Sequence, residues 1–240
     1  MRPESLDTYM EPLLSGNRLA CREIIQTSLE TCRSGREVYE RILWPAMERV
    51  EKLFRGDRIS TVVEHMATRI NRSLADQLQQ TLPKNPAKGK RILIMCADGE
   101  PEELGGQMCA DLFEADGWNA YFIGGGVPHD EVGATIGKLR PDILLIFGTQ
   151  PRDVPRIREL VDRIRDIGAN PALNIMVSGG VFNRADGLWK EINADLFAST
   201  IREAIEIANT AEPRPIEARI PGTPKKRRRR RAVALVGAEA

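Results

Sequence analysis

Four short apolar runs, each followed by an amphipathic segment or a turn, constrain this chain more than any other feature. They are RILIMC at 91–96, NAYFI at 119–123, DILLIF at 142–147 and LNIMV at 173–177. A run such as ILLIF has no polar alternation. It suits a strand covered on both faces, hence a parallel sheet with helices on either side. Glu102 to Asp116, Asp130 to Leu139 and Val154 to Ile167 carry apolar residues at helical spacing. A short fifth strand at Ala194–Phe197 and a closing helix to about Asn209 complete the pattern. The reading is α/β, with a doubly wound parallel five-stranded sheet over 91–211. Ligands of such sheets bind at the carboxyl ends of the strands, where the strand order switches. That singles out the loops 98–106, 124–129, 148–153 and 178–183.

Ahead of the sheet, residues 1–82 carry helical periodicity broken by short turns. Ser5–Leu14 and Arg18–Cys32 read as two helices, and Glu37–Phe54 as a third, in which Pro45 should bend or restart the helix. Ser60 supplies an N-cap for a fourth helix through about Leu82. Short connections imply antiparallel neighbours, so the region is an N-terminal four-helix bundle. PKNPAKGK at 83–90 is a polar linker, and residues 212–240 read as a disordered tail. Lys225 to Arg231 is an unbroken run of seven cations; removing those seven from a net charge of +1 leaves −6 for the rest. Such a run binds nucleic acid or an acidic partner through charge alone, or is simply solvated.

Several chemistries are disfavoured. No GxxxxGK[ST] is present, and GGG at 124–126 has neither the spacing nor the position of a dinucleotide loop. There is no GxSxG, and a Ser178-based triad would have to draw on His65 or His129. The cysteines, Cys21, Cys32, Cys96 and Cys109, form no CxxC pair and read as buried thiols. No apolar run approaches the roughly 18–20 residues of a membrane span, and the N-terminus lacks a signal-peptide pattern, so a cytoplasmic location is expected. The acidic loop ADGEPEELGG at 97–106 offers Asp98, Glu100, Glu102 and Glu103. These either hold a hard cation or sit in a first helical turn, where carboxylates suit the dipole.

Taken in order, LWPAMERVEKLFRGDRISTVVEHMAT, ADGEPEELGG, YFIGGGVPHDEV, LRPDILLIFGT and VSGGVF resemble the cobalamin (vitamin B12)-binding domain with its four-helix cap. The version in light-responsive cobalamin-dependent transcriptional regulators is especially similar. The resemblance covers about residues 1–211 and implies a flavodoxin-like (Rossmann-type) α/β domain under a helical cap. The family's loop Asp-x-His-x-x-Gly becomes Glu100, Glu102 and Gly105. Glu102 thus stands where the family's His binds cobalt from below in place of the cofactor's own base. The Ser-x-Leu that lines the slot for that base becomes FGTQ, with Phe147 or Gly148 at the Ser and Thr149 adjacent. Gly179-Gly180 is intact and, with Gly105 and Gly106, would let the cofactor tail approach the backbone. The regulators' Trp, nine residues, Glu-His over the upper cobalt face becomes Phe54, then Glu64-His65, with His65 as a candidate upper cobalt ligand. His129 is a second candidate for the lower position.

The resemblance implies cobalamin between cap and sheet. A carboxylate matches cobalt less well than imidazole does, and it suits the pyrrole N–H groups of a bilin, so a bilin or haem is the variant ligand. The expected role is a sensor or regulator, with photoreception included, rather than an enzyme, and it would act through a protein partner or the basic tail. On this reading no winged DNA-binding helix pair is expected ahead of the bundle. The alternatives are a ligand-free interaction module and a corrinoid carrier in methyl transfer.

Overall fold

A computed structural model describes residues 6–32, 34–97 and 100–216, apart from the side chains of 100–102. The cap comprises α1 (Leu6–Ser15), α2 (Arg18–Thr31), α3 (Gly35–Val38), a π-helical turn (Tyr39–Leu43), α4 (Trp44–Arg55) and α5 (Thr61–Gln79). Asn17 caps α2 by accepting from the Ala20 amide at 3.1 Å, and the expected Ser60 cap accepts from Val63 at 3.4 Å. Pro45 does not break the third helix. Its ring would crowd the carbonyl four residues back, and the chain widens by one residue just before it, so that the Trp44 amide donates to the Tyr39 carbonyl.

The sheet contains β1 (Arg91–Cys96), β2 (Asn119–Phe122), β3 (Ile143–Phe147), β4 (Asn174–Ser178) and β5 (Leu196–Ala198). All are parallel, in the order β2-β1-β3-β4-β5. The connecting helices are α6 (Glu100–Ala115), α7 (His129–Leu139), α8 (Val154–Ile167), α9 (Gly180–Arg184), α10 (Leu188–Glu191) and α11 (Ile201–Thr210). Successive strands are added on one side of β1 for β2 and on the other side for β3, which places a switch point at the carboxyl ends of β1 and β3.

Alternation along the strands divides the core. Ile92, Ile94, Cys96, Ile143, Leu145 and Phe147 belong to one apolar cluster with α6, α11 and the cap helices. Leu93, Met95, Leu144 and Ile146 face the other way, onto α7 and α8. Cap and sheet therefore share one core. Tyr39 adds a polar tie: its hydroxyl lies 2.7 Å from the Ala75 carbonyl on α5 and 2.9 Å from Asp111 on α6. The linker is also held, since Asn85 and Lys88 donate their amides to Ala115 and Gly117, and Lys88 pairs with Asp116. Beyond α11, Arg214 donates to Ala172 and pairs with Asp195. The run Lys225–Arg231 lies outside the described residues. No described helix is long and apolar enough to cross a membrane. Among the described residues no group of three or more His, Cys, Asp and Glu suits a metal, and the four cysteines form no disulfide.

Candidate functional site

The cap covers the carboxyl ends of β3 and β4 and leaves a narrow cleft between them, with about 50 Å³ of free volume. One wall is α4, which contributes Trp44, Met47, Glu48, Val50 and Glu51. Positions 44, 47, 48 and 51 follow helical spacing, so they share a face. From α5 come Glu64 and Thr68, again one turn apart. Phe147 and Thr149 close the sheet side, with Gly179, Gly180 and Asn183 from the β4–α9 turn.

Each polar group in this cleft is held. Trp44 Nε1 donates to Glu48 at 3.0 Å, and burial pushes the Glu48 carboxyl above its usual range despite that bond. Glu64 is only 3% exposed and accepts from the Thr68 hydroxyl at 3.0 Å. Arg184 spans the opening. It pairs with Glu51 at 3.2 Å and donates to the Thr149 carbonyl at 2.5 Å, joining cap to sheet across the cleft.

The floor is aromatic. Phe147 is 1% exposed and meets Trp44 edge-on, with ring centroids 5.9 Å apart. Behind it lies α6 at Gly105, where a Cβ would fall 2.3 Å from Cε1 and 2.4 Å from Cζ of the Phe147 ring. The ring thus rests on the helix backbone. A Cβ on Gly106 would meet Cys96 Sγ at 2.5 Å, and one on Gly179, at φ +104°, would fall 2.4 Å from the Gly148 carbonyl oxygen. These glycines already serve the protein's own packing.

Of the residues singled out from sequence, Glu64, Thr149, Gly179 and Gly180 line the cleft. Gly105 and Gly106 are buried one layer below it. Phe54 is half-buried on α4 and does not line the cleft. The His65 side chain is 54% exposed, with Nε2 3.5 Å from Glu64, and it too is outside the lining. Glu100 and Glu102 belong to the first turn of α6, but their side chains are outside the described residues, as are Asp98 and Gly99. His129 is on the opposite face of the sheet, beside Asp153 and Arg156. Trp44, Met47, Glu48, Glu51, Thr68 and Asn183 were not singled out from sequence. The available signal was the 44-47-48-51 spacing, which marks a face without saying what it faces.

Two family models match this chain. Both are described as the B12 binding domain, one over residues 6–79 and the other over 90–208. Among solved structures, the monomethylamine corrinoid protein of Methanosarcina barkeri is similar at TM-score 0.74 and 18% identity, covering 83% of this chain and 94% of that one. A cobalamin-binding protein from Desulfitobacterium hafniense DCB-2 is similar at TM-score 0.47 and 17% identity, covering 86% and 98%. The methanol:cobalamin methyltransferase complex of Methanosarcina barkeri is similar at TM-score 0.47 and 17% identity, covering 87% and 80%. No curated protein sequence matches.

Proposed function

The chain belongs to the B12-binding domain family over both cap and sheet, and from that premise we propose that it is a corrinoid carrier, holding its cofactor in the cap–sheet cleft and presenting it to a protein partner for methyl transfer. Cobalamin is the cofactor of that family. The observation that carries the reading is the cleft itself, which lies at the carboxyl ends of β3 and β4, beside the switch point of the sheet, and is roofed by the cap. Its walls fit one face of a broad macrocycle with an amide-bearing rim. Trp44, Met47, Val50 and Phe147 supply apolar surface, while Glu64, Thr68, Thr149 and Asn183 supply polar atoms at the edge. The side beneath is a poorer fit, because Phe147 and the α6 backbone leave no gap there. A corrin is larger than the closed cleft, so entry requires the Arg184–Glu51 pair to part.

Bound there, a corrinoid would supply a cobalt centre able to accept and give up a methyl group. The chain's own residues bind, orient and shield it. Glu64, fixed by Thr68, faces the cleft as a hydrogen-bond acceptor, and Trp44 is held in place through its bond to Glu48. The carrier role draws support from the likeness to the monomethylamine corrinoid protein, of which 94% is covered. A light-responsive sensor is the second reading, favoured by the Phe54, Glu64-His65 spacing and by Glu64 lining the cleft.

The test is reconstitution. Purified protein is mixed with hydroxocobalamin, methylcobalamin, adenosylcobalamin, haem or biliverdin, desalted, and its visible spectrum recorded. Retention of a cobalamin chromophore is the expected result, and retention of none of the three cobalamins overturns the proposal. Haem or biliverdin retained in their place would mark a repurposed pocket. Assembly that changes on illumination only with adenosylcobalamin would replace the carrier by the sensor.

A further inference from the structure

The family resemblance assigns the space below the corrin two devices, an imidazole on cobalt and a slot for the displaced base. This chain has Glu102 in the first place. In the second, the Phe147 side chain is buried at the end of β3, in edge contact with Trp44 and seated on Gly105. Leu104 and Met108, on either side of that contact along α6, are 0% and 1% exposed. Among the described residues, these contacts fill the space between α6 at Gly105 and the end of β3, where an aromatic base would have to enter. A base kept on cobalt meets the same obstacle, because it needs the thickness of a ring between the corrin and this floor. Moving the buried Phe147 ring aside would open a cavity and lose its contacts with Trp44 and α6, which opposes the displacement.

We propose that Phe147, backed by Trp44 and Gly105, is a specificity-determining floor on which the corrin rests by its ring alone, with neither the nucleotide base nor a protein nitrogen on the sheet-facing axial position. The base then lies in solvent and adds nothing to affinity. The preferred ligand class is accordingly a corrinoid without a coordinated base, whether complete or lacking the base altogether. This inference rests on the corrinoid reading above and specifies how that site tells corrinoids apart.

The experiment compares hydroxocobalamin with cobinamide, which lacks the nucleotide base, by quenching of Trp fluorescence in the full-length protein. The cobalt(II) form of the cobalamin complex is also examined by electron paramagnetic resonance. Cobinamide binding at least as tightly as hydroxocobalamin, which must first release its own base from cobalt, and a cobalt(II) signal without nitrogen splitting are expected. Cobalamin binding more than about threefold tighter than cobinamide, or nitrogen splitting in the wild-type complex, would overturn the inference. Cobalamin labelled with nitrogen-15 in the base tells which nitrogen is responsible. Binding of neither corrinoid removes this inference together with the carrier reading, whereas binding with nitrogen splitting removes this inference alone.

Phe147→Ala combined with Glu102→His should restore both devices. Nitrogen splitting then appears, and cobalamin gains about tenfold or more over cobinamide, while Glu102→His alone gains no such preference. If Glu102→His alone gains that preference, Phe147 is not the barrier and the inference fails. Should the alanine variant not fold, Phe147→Leu keeps most of the volume while thinning the floor, and a partial shift in the same direction is the expected result. An unchanged preference in a folded Phe147→Leu, Glu102→His protein counts against the floor.

Discussion

Asp111 is a buried carboxyl with a calculable effect on stability. It is 5% exposed, and burial pushes its pKa from 3.8 to about 6, opposed by the bond to Tyr39 and assisted by Asp76 and Glu114. The hydrogen-bond arithmetic agrees. The Tyr39 hydroxyl has one proton and two acceptors in reach, the Ala75 carbonyl and Asp111. A protonated Asp111 resolves the conflict by donating to Tyr39 while Tyr39 donates to Ala75. The folded protein therefore holds this proton to higher pH than the unfolded chain does. The associated stability is fully present below 3.8 and is lost as pH rises through about 6. At 1.36 kcal/mol per tenfold, that separation is worth about 3 kcal/mol in all, of which about 2 kcal/mol falls between pH 4.5 and 8. Asp111→Asn has no proton to lose, and its amide can still donate to Tyr39. Urea unfolding of both proteins at the two pH values cancels every other titrating group. The wild type should lose about 2 kcal/mol more than the variant between pH 4.5 and 8. A difference below about 0.5 kcal/mol, or one of opposite sign, would refute the reasoning.

Four further outcomes follow from distances already given. Gly179→Ala should cost at least about 2 kcal/mol in chemical denaturation, because its Cβ would strike the Gly148 carbonyl, whereas Gly187→Ala, at φ +76° in open space, should cost about 1 kcal/mol. Gly105→Ala should cost about 1–3 kcal/mol by overpacking against Phe147, and less in a Phe147→Leu background, as a double-mutant cycle would read. Arg184→Ala should change stability by less than about 1 kcal/mol, since the pair is partly exposed, yet speed corrinoid uptake in stopped-flow absorbance. Glu64→Ala should weaken corrinoid retention, while His65→Ala leaves it within about twofold; a larger effect at His65 would favour the sensor reading.

The sheet is legible in sequence because β3, as ILLIF, is buried at every position, and uninterrupted apolar runs have few other uses. The cap is legible through its breaks, with Ser60 capping α5 as its residue type suggests. Pro45 was readable as a disturbance but not as a π-turn. Which way a helix yields depends on what its two halves must reach, here Asp111 on one side and the cleft on the other. Gly179, Gly180, Glu64 and Thr149 could be placed through motif spacing. The floor could not, because Trp44 and Phe147 are far apart in the chain and meet only once the cap is docked. Gly105 is the instructive case. A glycine that admits a ligand and one that admits a neighbouring ring look alike in sequence, and only the Phe147 contact separates them.

The π-turn at Tyr39–Leu43 acts as a phase shifter within the third cap helix. An α-helical residue turns the chain by about 100°, and the one extra residue changes the angular offset between the two halves by a comparable amount. It lets Tyr39 face α6 while Trp44 and Glu48 face the cleft. Deleting a single residue between 39 and 43 would leave a regular helix of almost unchanged composition with its two halves out of phase, so that it could satisfy the polar tie or the aromatic floor but not both at once.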